Sequence, residues 1–565
     1  MRLFYTKLIF KNWPVGGRVR DARVYGRDAS TGSVTMPEDT RMEFDYIVVG
    51  AGAAGSVVAG RLSADPRISV LLIEYGGRDL NPLLYVPKGF YYTLRGDRYV
   101  YRYETRGHEV WLRGKVLGGS ATVNGMMWTR GAQADWDGLA ARGNPGWEWK
   151  EILSSYRAME DHSLGASDMR GAGGPLGVSV TDTGDEVTNA ILESAGDYGW
   201  QKVDDANACD TERIGFTPST IRNGRRVTSY SAFVRPAKNR KNLTVATRTK
   251  AGYLLFDGRR VTGVRARHGT VTSDFTARRE VIICAGAVET PLLLERSGIG
   301  RGDIIRAIGA EIRVESPHVG ERLLEQRGLA LQVVLKEDIG QSRYLDTLPK
   351  QVLETIKYLP NGRGRLATAG YDLVCQFKSS PGISRPDIHG LFAPLALDTG
   401  SKEMKLAKHS GILFMGYPIR SQTRSSVHAS GRLPDAPPVI DARFLETEAD
   451  RAAVAPVLDI VRRVLGQGPV ADYIASEEFP GPSVATPEQV IRYSLDTGTG
   501  IYHAVGSAAM GPSGDDVVDA RLRVRGVAGL RIADASVLPV QVSGNTAAPA
   551  MAVGWRAADF ILAGT

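Results

Sequence analysis

The sequence predicts an α/β fold in which a Rossmann-type βαβ core is interleaved with a second, α+β part built on an antiparallel sheet. Three observations carry this expectation. A β-rich run, Tyr46 to Val49, meets the turn Gly50-Ala51-Gly52-Ala53-Ala54-Gly55, and a helix-like stretch from Ala54 to Leu62 leads into a second β-run, Ser69 to Ile73. Far along the chain, VIICAGA (Val281 to Ala287) and LRIADASVLP (Leu530 to Pro539) have the pattern of buried strands running into small-residue turns, and so of further strands in the same sheet. Between them, residues 310–500 hold alternating strands such as Ser410 to Pro418 and Pro-rich turns such as Pro434 to Pro438, as an antiparallel sheet would.

Length and composition set the frame. A chain of 565 residues exceeds one simple core, and with no repeat or low-complexity linker to divide it, its domains must interleave. Hydrophobic residues at 43% and charged ones at 23% suit an ordinary globular enzyme. The net charge of +8 admits an anionic partner, but Lys and Arg are scattered among 62 acids without an aromatic-basic platform. A solvated basic surface is therefore expected, and no nucleic-acid partner. Cys209, Cys284 and Cys375 are widely spaced with no CxxC pair, so neither a metal site nor a disulfide framework is expected, and a cytoplasmic setting fits. No apolar run approaches the roughly 20 residues of a membrane-spanning helix. Residues 1–42 carry eight Lys or Arg against four acids, and Lys7 breaks the apolar stretch Leu3 to Phe10. They are expected to be a poorly ordered basic extension, with Met36 and Met42 as alternative starts, ahead of a targeting peptide.

The glycine-rich turn lies where a dinucleotide needs it, after a strand and opening a helix. Gly50 permits the tight turn, Gly52 lets backbone approach a pyrophosphate, and Gly55 lets the helix pack on the strand, while the helix N-terminus offers N–H groups and positive dipole. Glu74 closes the second strand, roughly 20 residues on, where a carboxylate accepts from ribose hydroxyls and repels a 2′-phosphate. The motif alone does not separate FAD from NAD.

Four further segments do. RGKVLGGSATVNGMMWTRG (Arg113 to Gly131), GAVETPLLLERSGIG (Gly286 to Gly300), YHAVGSAAMG (Tyr502 to Gly511) and SGNTAAPAMAVGWRAADFI (Ser543 to Ile561) occur in order. From Phe44 onward the sequence resembles the glucose-methanol-choline (GMC) flavoprotein oxidoreductases. The resemblance implies FAD and a discontinuous FAD-binding domain over residues 43–200, 201–310 and 515–565, with 311–514 mainly a substrate-binding domain. Cofactor contacts are implied at Gly50, Gly52, Ala53, Ala54, Gly55, Glu74, Arg113, Gly118, Gly119, Asn124, Met127, Ala251, Ala285, Asp534, Ala535, Asn545 and Thr546. The Gly118-Gly119 loop would cover the flavin ring with Asn124 near its reactive edge, and Asp534 and Ala535 would approach the phosphates and ribityl chain. Some members attach flavin through a histidine just before that Asn; here Val123 stands there, so FAD is expected to be non-covalent. Thr290-Pro291 is expected to start a helix whose block is structural, and Pro549 to begin a helix aimed at the flavin pyrimidine.

The same resemblance places His503 at the family's active-site histidine and Asn545 at its His-or-Asn partner. Alcohol oxidation removes a hydroxyl proton and a hydride, and so needs a near-neutral base beside the alcohol oxygen. His503 would accept the proton as hydride passes to flavin N5, and Asn545 would hold the oxygen. The expected reaction takes a primary alcohol, aryl or medium aliphatic, to the aldehyde, with electrons passing to O2 or a quinone-type acceptor. Ile501 could present an apolar surface to the flavin. Two departures, Ala508 and Ala509 after the active-site block and HVGERLLEQRG at His318 to Gly328, argue against a standard choline enzyme. A redox-neutral lyase of the hydroxynitrile type and a photodecarboxylase on the same scaffold are the alternatives.

Overall fold

The computed structural model describes residues 42–398 and 405–564. Apart from Met42, the expected N-terminal extension lies outside the described residues. Two sheets organise the chain. The first contains β1 (Met42–Val49), β2 (Val70–Ile73), β3 (Leu243–Ala246), β4 (Thr249–Asp257), β5 (Arg260–His268), β6 (Val271–Ile283) and β7 (Leu530–Ile532) in the order β3-β2-β1-β6-β5-β4, with β7 also on β6. Strands β3, β2, β1, β6 and β7 run parallel, and β4 to β6 form an antiparallel meander. β6 serves both, because its first half pairs with β5 and its last residues lie between β1 and β7. The two distant runs thus join the first βαβ unit, as the sequence predicts.

Parallel strands need cover on both faces, which is why YIVV and VLLI are continuous apolar runs and buried. The cover includes helix α1 (Ala53–Leu62) and helix α3 (Ala547–Leu562), which pack closely on each other. Gly554 allows that approach, since a Cβ there would meet the Ala54 backbone oxygen at 2.5 Å.

The second sheet runs Ile474–Phe479, Arg327–Leu335, Gly411–Pro418, Ile388–Ala393, Leu373–Phe377, Arg213–Phe216, Gln201–Lys202, antiparallel but for its last pair. Its core is sealed by the helices Glu186–Tyr198 and Val457–Leu465. Residues 186–216 therefore pack on this sheet, although the sequence division places them with the first; Val187, Ile191 and Ile214 bury their side chains against Leu331 and Phe377 of the second core.

A second correction concerns Pro291. Helix α2 (Gly286–Arg296) begins at Gly286 and carries Pro291 in its interior. Proline deprives the carbonyl four residues earlier of its donor. That carbonyl, Ala287 O, accepts instead from the Ser507 hydroxyl at 2.6 Å, which removes the usual penalty. Pro549 is the third residue of α3, in the first turn where a missing N–H leaves no gap. Among the described residues no helix is long and apolar enough to cross a membrane.

Candidate active site

The carboxyl ends of the parallel strands meet at one edge, where open α/β sheets bind ligands. Gly50 follows β1, Glu74 follows β2, Ala285 follows β6 and Asp534 follows β7. They border a cavity of about 460 Å³ that runs from this edge to the second sheet.

Glycine geometry at the mouth suits a bound dinucleotide. Gly50 has φ 104°, and a Cβ there would lie 2.3 Å from Cys284 O. At Gly55 a Cβ would lie 1.9 Å from Gly50 O, so helix and strand touch as the motif requires. At Gly52 a Cβ would meet nothing within 4 Å, so protein packing does not exclude a side chain and the bare backbone faces the cavity. Gly119 closes over it, since its Cβ would fall 2.7 Å from Gly52 Cα. The start of α1 and the start of α3, at Thr546 and Ala547, both border the same space.

Two buried carboxylates brace this end. Glu74 accepts from Ala51 N at 3.0 Å and from Gly76 N at 2.7 Å, and burial pushes its carboxyl up to about 7. Each oxygen keeps a lone pair for a ribose hydroxyl. Asp534 accepts from Gly286 N (2.9 Å), Thr290 Oγ1 (2.7 Å) and Ser536 N (2.8 Å), and its carboxyl too is raised by burial. Asp534 thus ties the β7 turn to the start of α2. Within the Gly286 block, Gly286, Ala287 and Glu289 border the cavity.

At the far end stands His503. Its Nδ1 lies 2.8 Å from Gln326 Oε1 and its Nε2 3.0 Å from Asn545 Nδ2. Gln326 Oε1 can only accept and Asn545 Nδ2 can only donate, so the proton resides on Nδ1 and Nε2 carries a lone pair. Burial, and after it the Arg113 guanidinium, hold the imidazole down to about 3, so it is neutral at neutral pH but a weaker base than the near-neutral one the sequence reading expects. Thr129 Oγ1 donates to Asn545 Oδ1 at 3.3 Å, and Gln326 Nε2 donates to Ile419 O at 2.7 Å. Glu325 accepts from His503 N at 2.8 Å and lies 3.5 Å from Arg113, and burial raises it to about 7. The Tyr417 ring meets the imidazole edge-on with centroids 5.6 Å apart, and Met127, Tyr371, Leu391, Met415 and Ile501 complete a largely apolar wall.

The structure brings the expected site residues together with two exceptions. Arg113, Asn124, Met127, Ala251, Ala285, Ala535 and Thr546 border the cavity with His503, Asn545 and the first-turn residues, whereas Gly55 and Gly118 do not. Gly55 packs the helix, and a Cβ at Gly118 (φ 89°) would collide with Thr122 Oγ1 at 2.2 Å. Sequence reasoning missed Glu325 and Gln326. They fall within HVGERLLEQRG, read only as a departure from a pattern; they lie just before Arg327, whose pairing with Gly500 only the fold reveals.

The chain matches the family model described as GMC oxidoreductase in two parts, N-terminal over residues 44–327 and C-terminal over residues 421–554. It is 36% identical over 530 residues to an uncharacterized GMC-type oxidoreductase of Mycobacterium tuberculosis, covering 92% of this chain and 99% of that one. Against an oxygen-dependent choline dehydrogenase of Brucella anthropi it is 32% identical over 533 residues, covering 93% and 96%. The crystal structure of a pyridoxine 4-oxidase from Mesorbium loti superposes with a TM-score of 0.82 at 25% identity, over 91% of this chain and 98% of that one. Cradle, cavity and comparisons agree: the chain belongs to the GMC oxidoreductase family, and its cofactor is FAD.

Proposed function

We propose that this oxidoreductase converts an uncharged primary alcohol, aryl or medium aliphatic, to its aldehyde. What carries the reading is the His503–Asn545 pair at the cavity wall, with Nδ1 engaged by Gln326 and the Nε2 lone pair toward Asn545. An alcohol hydroxyl placed at that pair would displace the Asn545 amide from Nε2 and give its proton there, while the amide turns to donate to the oxygen as it gains alkoxide character. Bound FAD supplies the acceptor for the hydride that leaves the carbinol carbon. The products balance as aldehyde, a proton on His503 and a two-electron-reduced cofactor.

The wall beside His503 supports an uncharged substrate. Met127, Tyr371, Leu391, Met415, Tyr417 and Ile501 offer no carboxylate to an ammonium group. FAD is held without a covalent bond, in keeping with Val123, whose side chain packs among Leu84, Val100 and Val116.

Anaerobic mixing of the holoenzyme with an alcohol panel tests the proposal. Aryl and medium aliphatic primary alcohols should bleach the flavin band, and His503→Ala should slow bleaching about 10²- to 10⁴-fold with FAD still bound. Bleaching by choline alone, or bleaching unaffected in His503→Ala, would overturn it. Admitting air afterwards distinguishes O2 from a quinone-type acceptor by the rate at which colour returns.

A further inference from the structure

Asn223 and Gly224 have φ 52° and 66°, and their turn joins two short strands, Ile221–Arg222 and Arg225–Arg226. Positive φ at both central residues is the geometry that suits a tight hairpin. Successive strand residues face opposite ways, so Arg225 is exposed while Arg226 points inward and is only 2% exposed.

The buried guanidinium has an unusual partner. Its Nη1 donates to Asn124 Oδ1 and its Nη2 to Asn124 O, both at 2.8 Å, and Ala121 O lies 3.5 Å from Nη1. Among the described residues no carboxylate forms an ion pair with it, and its Nε has no partner. Burial lowers its pKa to about 9, which leaves it charged at neutral pH. A cation taken out of water without a counter-ion is costly to fold.

What the fork holds is a residue of the cofactor cavity. Asn124 Oδ1 also accepts from Met126 N at 3.0 Å. Both donors require an oxygen, so the amide orientation is fixed and the oxygen is occupied. The Nδ2 group is left to the cavity that Asn124 borders.

We propose that Arg226 is a positioning residue of the FAD site: it locks Asn124 with its amide N–H groups toward the flavin, and its uncompensated charge favours the reduced, negatively charged cofactor. This rests on the FAD site and not on the identity of the alcohol. Positive charge near a flavin makes electron uptake more favourable, and a fixed amide donor stabilises charge without reorganising.

The test uses the FAD-loaded protein and measures the midpoint potential against reference dyes, together with sulfite affinity. Arg226→Met should weaken the reduction equilibrium at least tenfold, a potential about 30 mV lower, and raise the sulfite dissociation constant at least tenfold. Potential and sulfite affinity within twofold of the parent would overturn the proposal. Should Arg226→Met fail to hold FAD, Arg226→Lys and Arg226→Gln decide, because both lose the fork and only Lys keeps the charge. A lysine variant at least tenfold above the glutamine variant in both measures supports the proposal, and equality of the two overturns it.

Discussion

Gln326→Leu isolates the step that prepares His503 as a base. The parent holds Nδ1–H 2.8 Å from Gln326 Oε1 in a site where Gln326 is fully buried. Leucine is close in volume but cannot accept, and an unpaired buried N–H costs about 1–3 kcal/mol. At about 1.4 kcal/mol per decade, the tautomer with its lone pair on Nε2 loses at most about 5- to 140-fold in population. The other tautomer directs Nε2–H at Asn545 Nδ2, which itself donates, so neither arrangement is satisfied. Anaerobic flavin reduction by the best alcohol should slow by a similar factor, while flavin absorbance per chain stays at the parent level. Gln326→Glu keeps an acceptor and adds negative charge that raises the pKa of His503. It should retain most of the rate and move the acid limb of the rate to higher pH. A Leu variant that bleaches as fast as the parent, with the same pH profile, would refute the tautomer argument.

Three other outcomes follow from the same contacts. Gly50→Ala places a Cβ 2.3 Å from Cys284 O at φ 104°, so the variant should purify with little FAD or as aggregate, and a fully loaded variant would contradict the packing described. Precipitation in acid should release all flavin to the supernatant, because Val123 offers no attachment; flavin co-migrating with denatured chain would refute this. Glu325 is raised to about 7 from 4.5, so the folded chain holds a proton that the unfolded chain releases, and this contribution is lost as pH rises through 7. Scanning fluorimetry should therefore show the melting temperature of Glu325→Gln rising relative to the parent between pH 5 and 8, and a flat or falling difference would overturn the assignment.

The first βαβ unit was legible because its physics is local: a strand, three glycines and Glu74 stand within one short segment, and Gly50 and Gly55 answer contacts inside it or with the adjoining strand. Apart from the strand read at Ser410 to Pro418, which forms as Gly411–Pro418, the second sheet was legible only as a type. Leu373–Phe377 and Ile388–Ala393 are buried throughout, so no alternation marks which face is inward, and Leu373–Phe377 takes one of its partners from the distant Arg213–Phe216. Pro291 misled for a related reason. A proline reads as a helix start until Ser507, far along the chain, supplies the donor that its ring removes. Arg226 in NGRR has the composition of an exposed turn, and only the strand pairing that turns it inward reveals its burial.

The geometry separates two tasks that the sequence motifs merge. The cofactor cradle is set by the first sheet, whose parallel strands end together at Gly50, Glu74, Ala285 and Asp534. His503 is set by the second, because Arg327 begins the strand paired antiparallel with Thr499–Gly500, and Glu325 and Gln326 just before it grip the backbone and ring of His503. Tyr502, with φ 66°, turns the chain so that the imidazole enters the cavity. Arg113 joins the halves, reaching Glu325 from the hairpin strand Val110–Gly114 that leads into the Gly118-Gly119 loop. The proposed base and the apolar wall beside it therefore rest on the second sheet and the FAD cradle on the first. The apolar wall around Tyr417 and Ile501 shares none of the glycine contacts that shape the FAD cradle.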